Sequence, residues 1–125
     1  MSIRSILLGL LFCGISTAAI PMSDIFHFAL TKSAPAADSA VPSPNEVRLW
    51  FTQAPQQNSV AVRLVNPAGE LVDTSDPSLD QADQKVVSVN VDGALGAGGY
   101  TVSWRGIGDD GHVVRGEFGF TVNAQ

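Results

Sequence analysis

Hydrophobic and polar residues alternate with a period of two through most of the second half of the chain. From Gly99 to Arg105, Tyr100, Val102 and Trp104 alternate with Thr101, Ser103 and Arg105. Further on, Gly116, Phe118, Phe120 and Val122 alternate with Arg115, Glu117, Gly119 and Thr121. This is the signature of two half-buried strands. Glu46–Gln53 repeats it, with Val47, Leu49 and Phe51 on one face and Arg48, Trp50 and Thr52 on the other. Ser59–Asn66 does the same, with Val60, Val62 and Leu64 inward. Pro67-Ala68-Gly69 turns the chain into a short Glu70–Asp73 strand, and Val87, Val89 and Val91 mark another. Near the start, His27–Ala36 reads as an edge strand ending at Pro35. Asp38–Asn45 is rich in Ser and Pro and reads as a loop, and so does the polar stretch Thr74–Gln84.

No amphipathic helix is visible downstream of the N-terminal leader. Six or seven short strands separated by turns predict an all-β sandwich or Greek-key barrel, in which the alternating positions form one core between two sheets. Trp104 has the inward phase and is expected in that core. Trp50 lies on the outward phase and is expected to be partly exposed. Arg105 is expected to pair with an acidic neighbour as an exposed salt bridge of little energetic weight.

Met1–Ala19 reads as a secretory signal. Arg4 supplies the positive start, Ile6–Ile15 a short apolar run, and Ser16-Thr17-Ala18-Ala19 the small residues of a cleavage site. Residues 20–26 form a spacer, and 27–125 the globular domain. The 125 residues suffice for one domain. Seven Lys and Arg against twelve Asp and Glu give a net charge of -5. Cleavage after Ala18 removes Arg4 alone among the charges, so the exported domain is one unit more acidic. No basic stripe points to nucleic acid as a partner, and no membrane span is expected in the mature chain. The single cysteine, Cys13, lies in the leader, which leaves the domain without a disulfide or a thiolate metal site. As Met22 is the one methionine besides the initiator, a thioether site for Cu(I) is not expected either.

The candidate chemistry sits in Gly106-Ile107-Gly108-Asp109-Asp110-Gly111-His112, the loop between the last two strands. Asp110 and His112 are two residues apart, which on extended backbone puts both side chains on one face. An imidazole beside a carboxylate ligates a divalent ion, or the carboxylate orients the ring from behind. An Asp-Asp-Gly turn followed by a solvated histidine would look the same in sequence. His27 is the other histidine. If the N-terminal strand brings it beside His112, two imidazoles and a carboxylate suit Cu(II), which favours tetragonal N/O ligation. Zn(II) would call for a tetrahedral fourth ligand. Catalytic patterns are missing: there is no nucleophile elbow, no phosphate-cradling glycine loop and no His-Glu-x-x-His.

Taken together, these segments resemble the CopC family of periplasmic copper-binding proteins, also described as the copper resistance or YobA-like domain. The resemblance runs from about His27 to Val122. Its most specific part is Gly99-Tyr100-Thr101-Val102-Ser103-Trp104-Arg105, then Asp110-Gly111-His112, then Gly116-Glu117-Phe118-Gly119-Phe120-Thr121-Val122. His27 and Leu30 leading to Ser33-Ala34-Pro35-Ala36, Pro44, and Val47-Arg48-Leu49-Trp50-Phe51 add to it. The resemblance implies a seven-stranded Greek-key β-sandwich, Ig-like or cupredoxin-like, with a Cu(II) site at one end. It implies His27, Asp110 and His112 as ligands, with the terminal amine joining when His27 begins the mature chain. Asp24-Ile25-Phe26 makes a poor signal-peptidase site, and cleavage near Ala18 leaves about eight residues ahead of His27. Gln53 stands where some relatives carry an acidic residue. The implied function is to sequester or shuttle Cu(II) in the periplasm without catalytic turnover, alongside a separate inner-membrane copper transporter of the CopD type. Two other readings fit the residues. One is a metal-free β-sandwich interaction module with a degraded site. The other is a histidine-brace copper oxidase, which needs a free N-terminal His27.

Overall fold

The computed structural model describes residues 27–124. The leader, Cys13 and the 20–26 spacer lie outside the described residues. Among those described there is no helix, and none is long and apolar enough to cross a membrane. The strands are β1 (Leu30–Ala34), β2 (Ala40–Val41), β3 (Glu46–Phe51), β4 (Ala61–Val65), β5 (Leu71–Val72), β6 (Ser78–Leu79), β7 (Val86–Asn90), β8 (Gly98–Ile107) and β9 (Val113–Val122). They build a four-stranded sheet in the order β1-β3-β7-β6 and a five-stranded sheet in the order β2-β9-β8-β4-β5. The chain changes sheet at each step from β1 to β4, again between β5 and β6, and again between β7 and β8. This interleaving places alternate residues of both sheets against one another in a sandwich.

The expected seven strands are all present, and β2 and β6 are additions. Both lie in segments that read as loops, and both are two residues long. β2 pairs in parallel with the end of β9, Ala40 opposite Thr121 and Val41 opposite Val122. β6 pairs with β7 through Ser78–Ser88 and Leu79–Val87. Neither has a side-chain pattern of its own, because two residues show no period.

The core follows the alternation. Val47, Leu49 and Phe51 are buried on β3, and Tyr100, Val102 and Trp104 on β8. Leu64, Val87, Val89, Phe120 and Val122 complete its centre, and Val60, Val62 and Phe118 pack against it partly buried. On the outer face of the four-stranded sheet, Trp50 is half-buried, with the Lys32 ammonium 4.6 Å from its ring centroid. Arg48 there pairs with Glu46 at 3.2 Å. Arg105 departs from expectation. Its cross-strand neighbour is Arg115, and no carboxylate pairs with it among the described residues.

β1 is an edge strand, as Pro35 predicts, but it begins at Leu30 rather than His27. A register shift between Leu30 and Lys32 marks its entry. Residues 27–29 therefore form an arm ahead of the strand. The arm is fixed by Phe28, which is 2% exposed. Its ring stacks on Phe51 at 4.6 Å and meets Trp104 edge-on at 6.3 Å. The space it fills is left by two glycines of the β8 end. A Cβ on Gly106 would lie 2.8 Å from the Phe28 ring, and one on Gly108 would lie 2.6 Å from Phe28 Cβ.

Candidate metal centre

Three loops meet at one end of the sandwich, and each carries or holds a part of the site. The β8–β9 hairpin closes at the Ile107–Val113 pair. Its turn is made by Gly111 N–H donating to Gly108 O at 3.0 Å, with Gly111 at φ +79°, a conformation that favours glycine. Asp110 Oδ1 accepts the His112 backbone N–H at 3.0 Å, the local side-chain turn that aspartate makes two residues ahead. Its other oxygen, Oδ2, lies 3.1 Å from His112 Nδ1. So the two-residue spacing does place Asp110 and His112 together, on a turn rather than on extended strand.

His27 arrives from the arm. Its Nδ1 lies 4.0 Å from the same Asp110 Oδ2. Both imidazoles therefore approach the same carboxylate oxygen. All three side chains are open to solvent, at 57% for His27, 43% for Asp110 and 80% for His112. Asp109 does not join them through its side chain, and the hairpin uses its backbone instead.

Two consecutive residues just after β3 hold both halves of the site. Thr52 Oγ1 donates to His27 O at 2.6 Å and accepts Ala29 N–H at 3.0 Å, while Thr52 N–H donates to Ala29 O at 2.9 Å. This pins the arm. Gln53 Oε1 accepts the Asp109 N–H at 2.9 Å. Gln56 adds Nε2–H to Gly108 O at 2.9 Å and its own N–H to Ile107 O at 2.8 Å. These pin the hairpin. The sequence gives no local sign of these clamps, since their partners lie 23 to 56 residues away. Gln53, which reads only as a missing carboxylate, is an acceptor for the loop that carries Asp110.

The electrostatics favour an ionised carboxylate. Hydrogen bonding from the His112 backbone N–H holds the Asp110 carboxyl below its ordinary value; desolvation opposes this, and the His112 side chain and the charges of both rings add to the lowering. An ionised carboxylate only accepts hydrogen bonds, so the His112 nitrogen facing it, Nδ1, carries the proton. In the neutral ring that leaves the Nε2 lone pair free. In this arrangement Asp110 orients the His112 ring from behind, with Nε2 turned away from the carboxylate. Among the described residues no three His, Cys, Asp or Glu side chains already converge into a metal cage. Ligand nitrogens sit about 2 Å from a bound transition metal, so the exposed rings would turn to share one ion.

The sequence pattern of the CopC domain matches residues 30–123. The chain belongs to the CopC family. Protein YobA of Escherichia coli strain K12 is 28% identical over 109 residues, covering 86% of this chain and 88% of its own length. Copper resistance protein C of Escherichia coli is 29% identical over 125 residues, covering 95% of each. The crystal structure of CopC from Methylosinus trichosporium OB3b superposes with a TM-score of 0.72 at 26% identity, over 79% of this chain and 96% of that one. Membership in the CopC family and the likeness to a copper resistance protein support a copper-related function. Within this CopC domain the matched region begins at Leu30, so the arm that carries His27 lies just ahead of it.

Proposed function

We propose that this protein is exported to the periplasm by residues 1–19 and there binds Cu(II), sequestering or shuttling it in copper homeostasis without catalytic turnover. His27 and His112 supply imidazole nitrogens, and Asp110 supplies a carboxylate oxygen or steadies His112. The observation that carries this reading is the approach of both rings to the one oxygen, Asp110 Oδ2, at a solvent-open end of the sandwich. Two imidazoles and a carboxylate suit the tetragonal N/O preference of Cu(II), and copper is here the cargo. Cleavage near Ala18 puts the amine about eight residues from His27, so the proposed ligand set does without it. A separate inner-membrane transporter of the CopD type is the proposed recipient. Isothermal titration of the exported protein with Cu(II) tests the reading. One equivalent should bind to wild type, and His112→Ala should bind markedly more weakly; identical isotherms reject the site.

A metal-free interaction module is the second reading, and the lack of a preformed cage among the described residues favours it. It predicts no saturable Cu(II) binding by either protein. Mass spectrometry of the exported chain adds a further arm, because a mature start at His27 would bring the amine into the ligand set.

A further inference from the structure

The outer face of the five-stranded sheet carries three arginines that the copper site does not use. Arg63 on β4, Arg105 on β8 and Arg115 on β9 are all exposed. By register Arg105 stands opposite Arg115, and Ser103 stands between Arg63 and Glu117. Together these five residues line a concavity of about 670 Å³. None of the three guanidiniums is ion-paired among the described residues. The opposite sheet is arranged differently, since Arg48 there is paired with Glu46.

Like charges directly across a strand pair are destabilising, so the Arg105–Arg115 pair costs the fold something. Charged residues often protect sheet edges from aggregation, and Arg63 and Arg115 stand where the outer sides of β4 and β9 are unpaired, since β5 covers only Leu64 and Val65 and β2 only Thr121 and Val122. Arg105 guards no edge, because β8 is paired on both sides there. The three arginines gather half of the positive side chains of residues 27–124 on one face of a chain whose net charge is -5. Guanidinium forks bind carboxylates in pairs of parallel hydrogen bonds.

We propose that this face is a docking site for an acidic polypeptide segment of a partner protein, its carboxylates received by Arg63, Arg105 and Arg115. The site stands independently of copper. It lies beside the metal end all the same, since the Arg105–Arg115 pair is two register steps, about 7 Å, from the Ile107–Val113 pair that closes the hairpin. A second copy of this chain is the poorer occupant. Its 74–84 stretch, which carries Asp76, Asp80 and Asp83, contains β6 on the opposite sheet, and contact between two different faces propagates head to tail rather than closing a dimer. Two of that stretch's carboxylates, Asp80 and Asp83, already accept the backbone N–H groups of Ala82 and Lys85.

The test is an NMR titration of the metal-free exported protein with a hexaglutamate peptide. Shifts should centre on Arg63, Ser103, Arg105, Arg115 and Glu117. Arg105→Gln and Arg115→Gln should each weaken binding about tenfold, the worth of one charge-assisted hydrogen bond. Arg48→Gln should leave it unchanged. Arg115→Gln should also melt no lower than wild type, which separates lost binding from lost folding. Absent shifts, or equal weakening by Arg48→Gln, overturn the proposal. So does binding of inorganic phosphate without hexaglutamate, which would mark a small-anion site. Self-association on sedimentation that Arg105→Gln abolishes would assign the face to a second copy and overturn it as well.

Discussion

Replacing Phe28 with alanine should detach the arm that carries His27. Phe28 is almost fully buried, stacked on Phe51 and seated against Trp104 and the bare backbone of Gly106 and Gly108. Truncating a buried Phe costs ~3–5 kcal/mol. Thr52 offers the arm three hydrogen bonds, two through its side chain and one through its N–H, worth about 1 kcal/mol net each. The ring is therefore the larger anchor, and its loss leaves the arm on the Thr52 bonds alone. For a domain of this size each kcal/mol shifts Tm by about 4–8 °C, so Phe28→Ala should melt on the order of 20 °C lower. Stability of a domain is about 5–15 kcal/mol, so from the middle of that range upward the variant stays folded at room temperature. The functional consequence is sharper than the thermal one. With the arm loose, His27 no longer faces Asp110, and Cu(II) affinity should fall to that of His27→Ala. The double variant should bind no more weakly than either single one, because both remove the same ligand. Calorimetric unfolding and Cu(II) titration of the four proteins complete the cycle. A melting loss below about 1 kcal/mol, or copper effects that simply add, would refute the anchoring argument.

The other predictions concern packing and the hairpin. Gly116→Ala would place a Cβ 2.6–2.9 Å from three atoms of the buried Trp104 indole; overpacking of this kind costs ~1–3 kcal/mol, and unchanged thermal unfolding would contradict the tight fit. The Asp110 carboxyl, followed by carbon-detected NMR, should titrate below the ordinary aspartate range because the His112 N–H is bonded to its ionised form. Since the folded-state value is the depressed one, its stabilising contribution is complete above the unfolded-state value, about 3.9. It is lost as pH falls through the native value, and the His112 amide should shift with it. A midpoint at or above the ordinary range would be the contrary result. Gln53→Ala removes the acceptor for Asp109 N–H, so amides of residues 108–112 should exchange faster while β3 and β7 stay protected; equal protection in the loop would show that Gln53 does not hold it.

The sheets were legible because most inward positions alternate without a break. Val47, Leu49 and Phe51 could be assigned from period alone, and so could Tyr100, Val102 and Trp104. β2 escaped because its pairing is a matter of distant backbone, with Thr121 N–H donating to Ser39 O and Asn123 N–H to Val41 O. Phe28 escaped because the register shift at Leu30–Lys32 breaks the alternation before reaching it. Arg105 misled because a neighbour across a sheet is set by register, and register set Arg115 there. At the candidate site, Asp110 and His112 were legible from local spacing. The meeting of His27 with Asp110 was legible only through family resemblance, since nothing local to residue 27 encodes a contact with residue 110. The Thr52 and Gln53 clamps are long-range polar contacts with no periodic signal.

In the proposed site one cupric ion is held by rings from the arm and the hairpin together. Pulsed EPR of the exported protein with one equivalent of Cu(II) counts bound imidazoles through their remote nitrogens. Wild type should show two coordinated rings, and His27→Ala and His112→Ala one each. The same count in all three proteins would contradict the account.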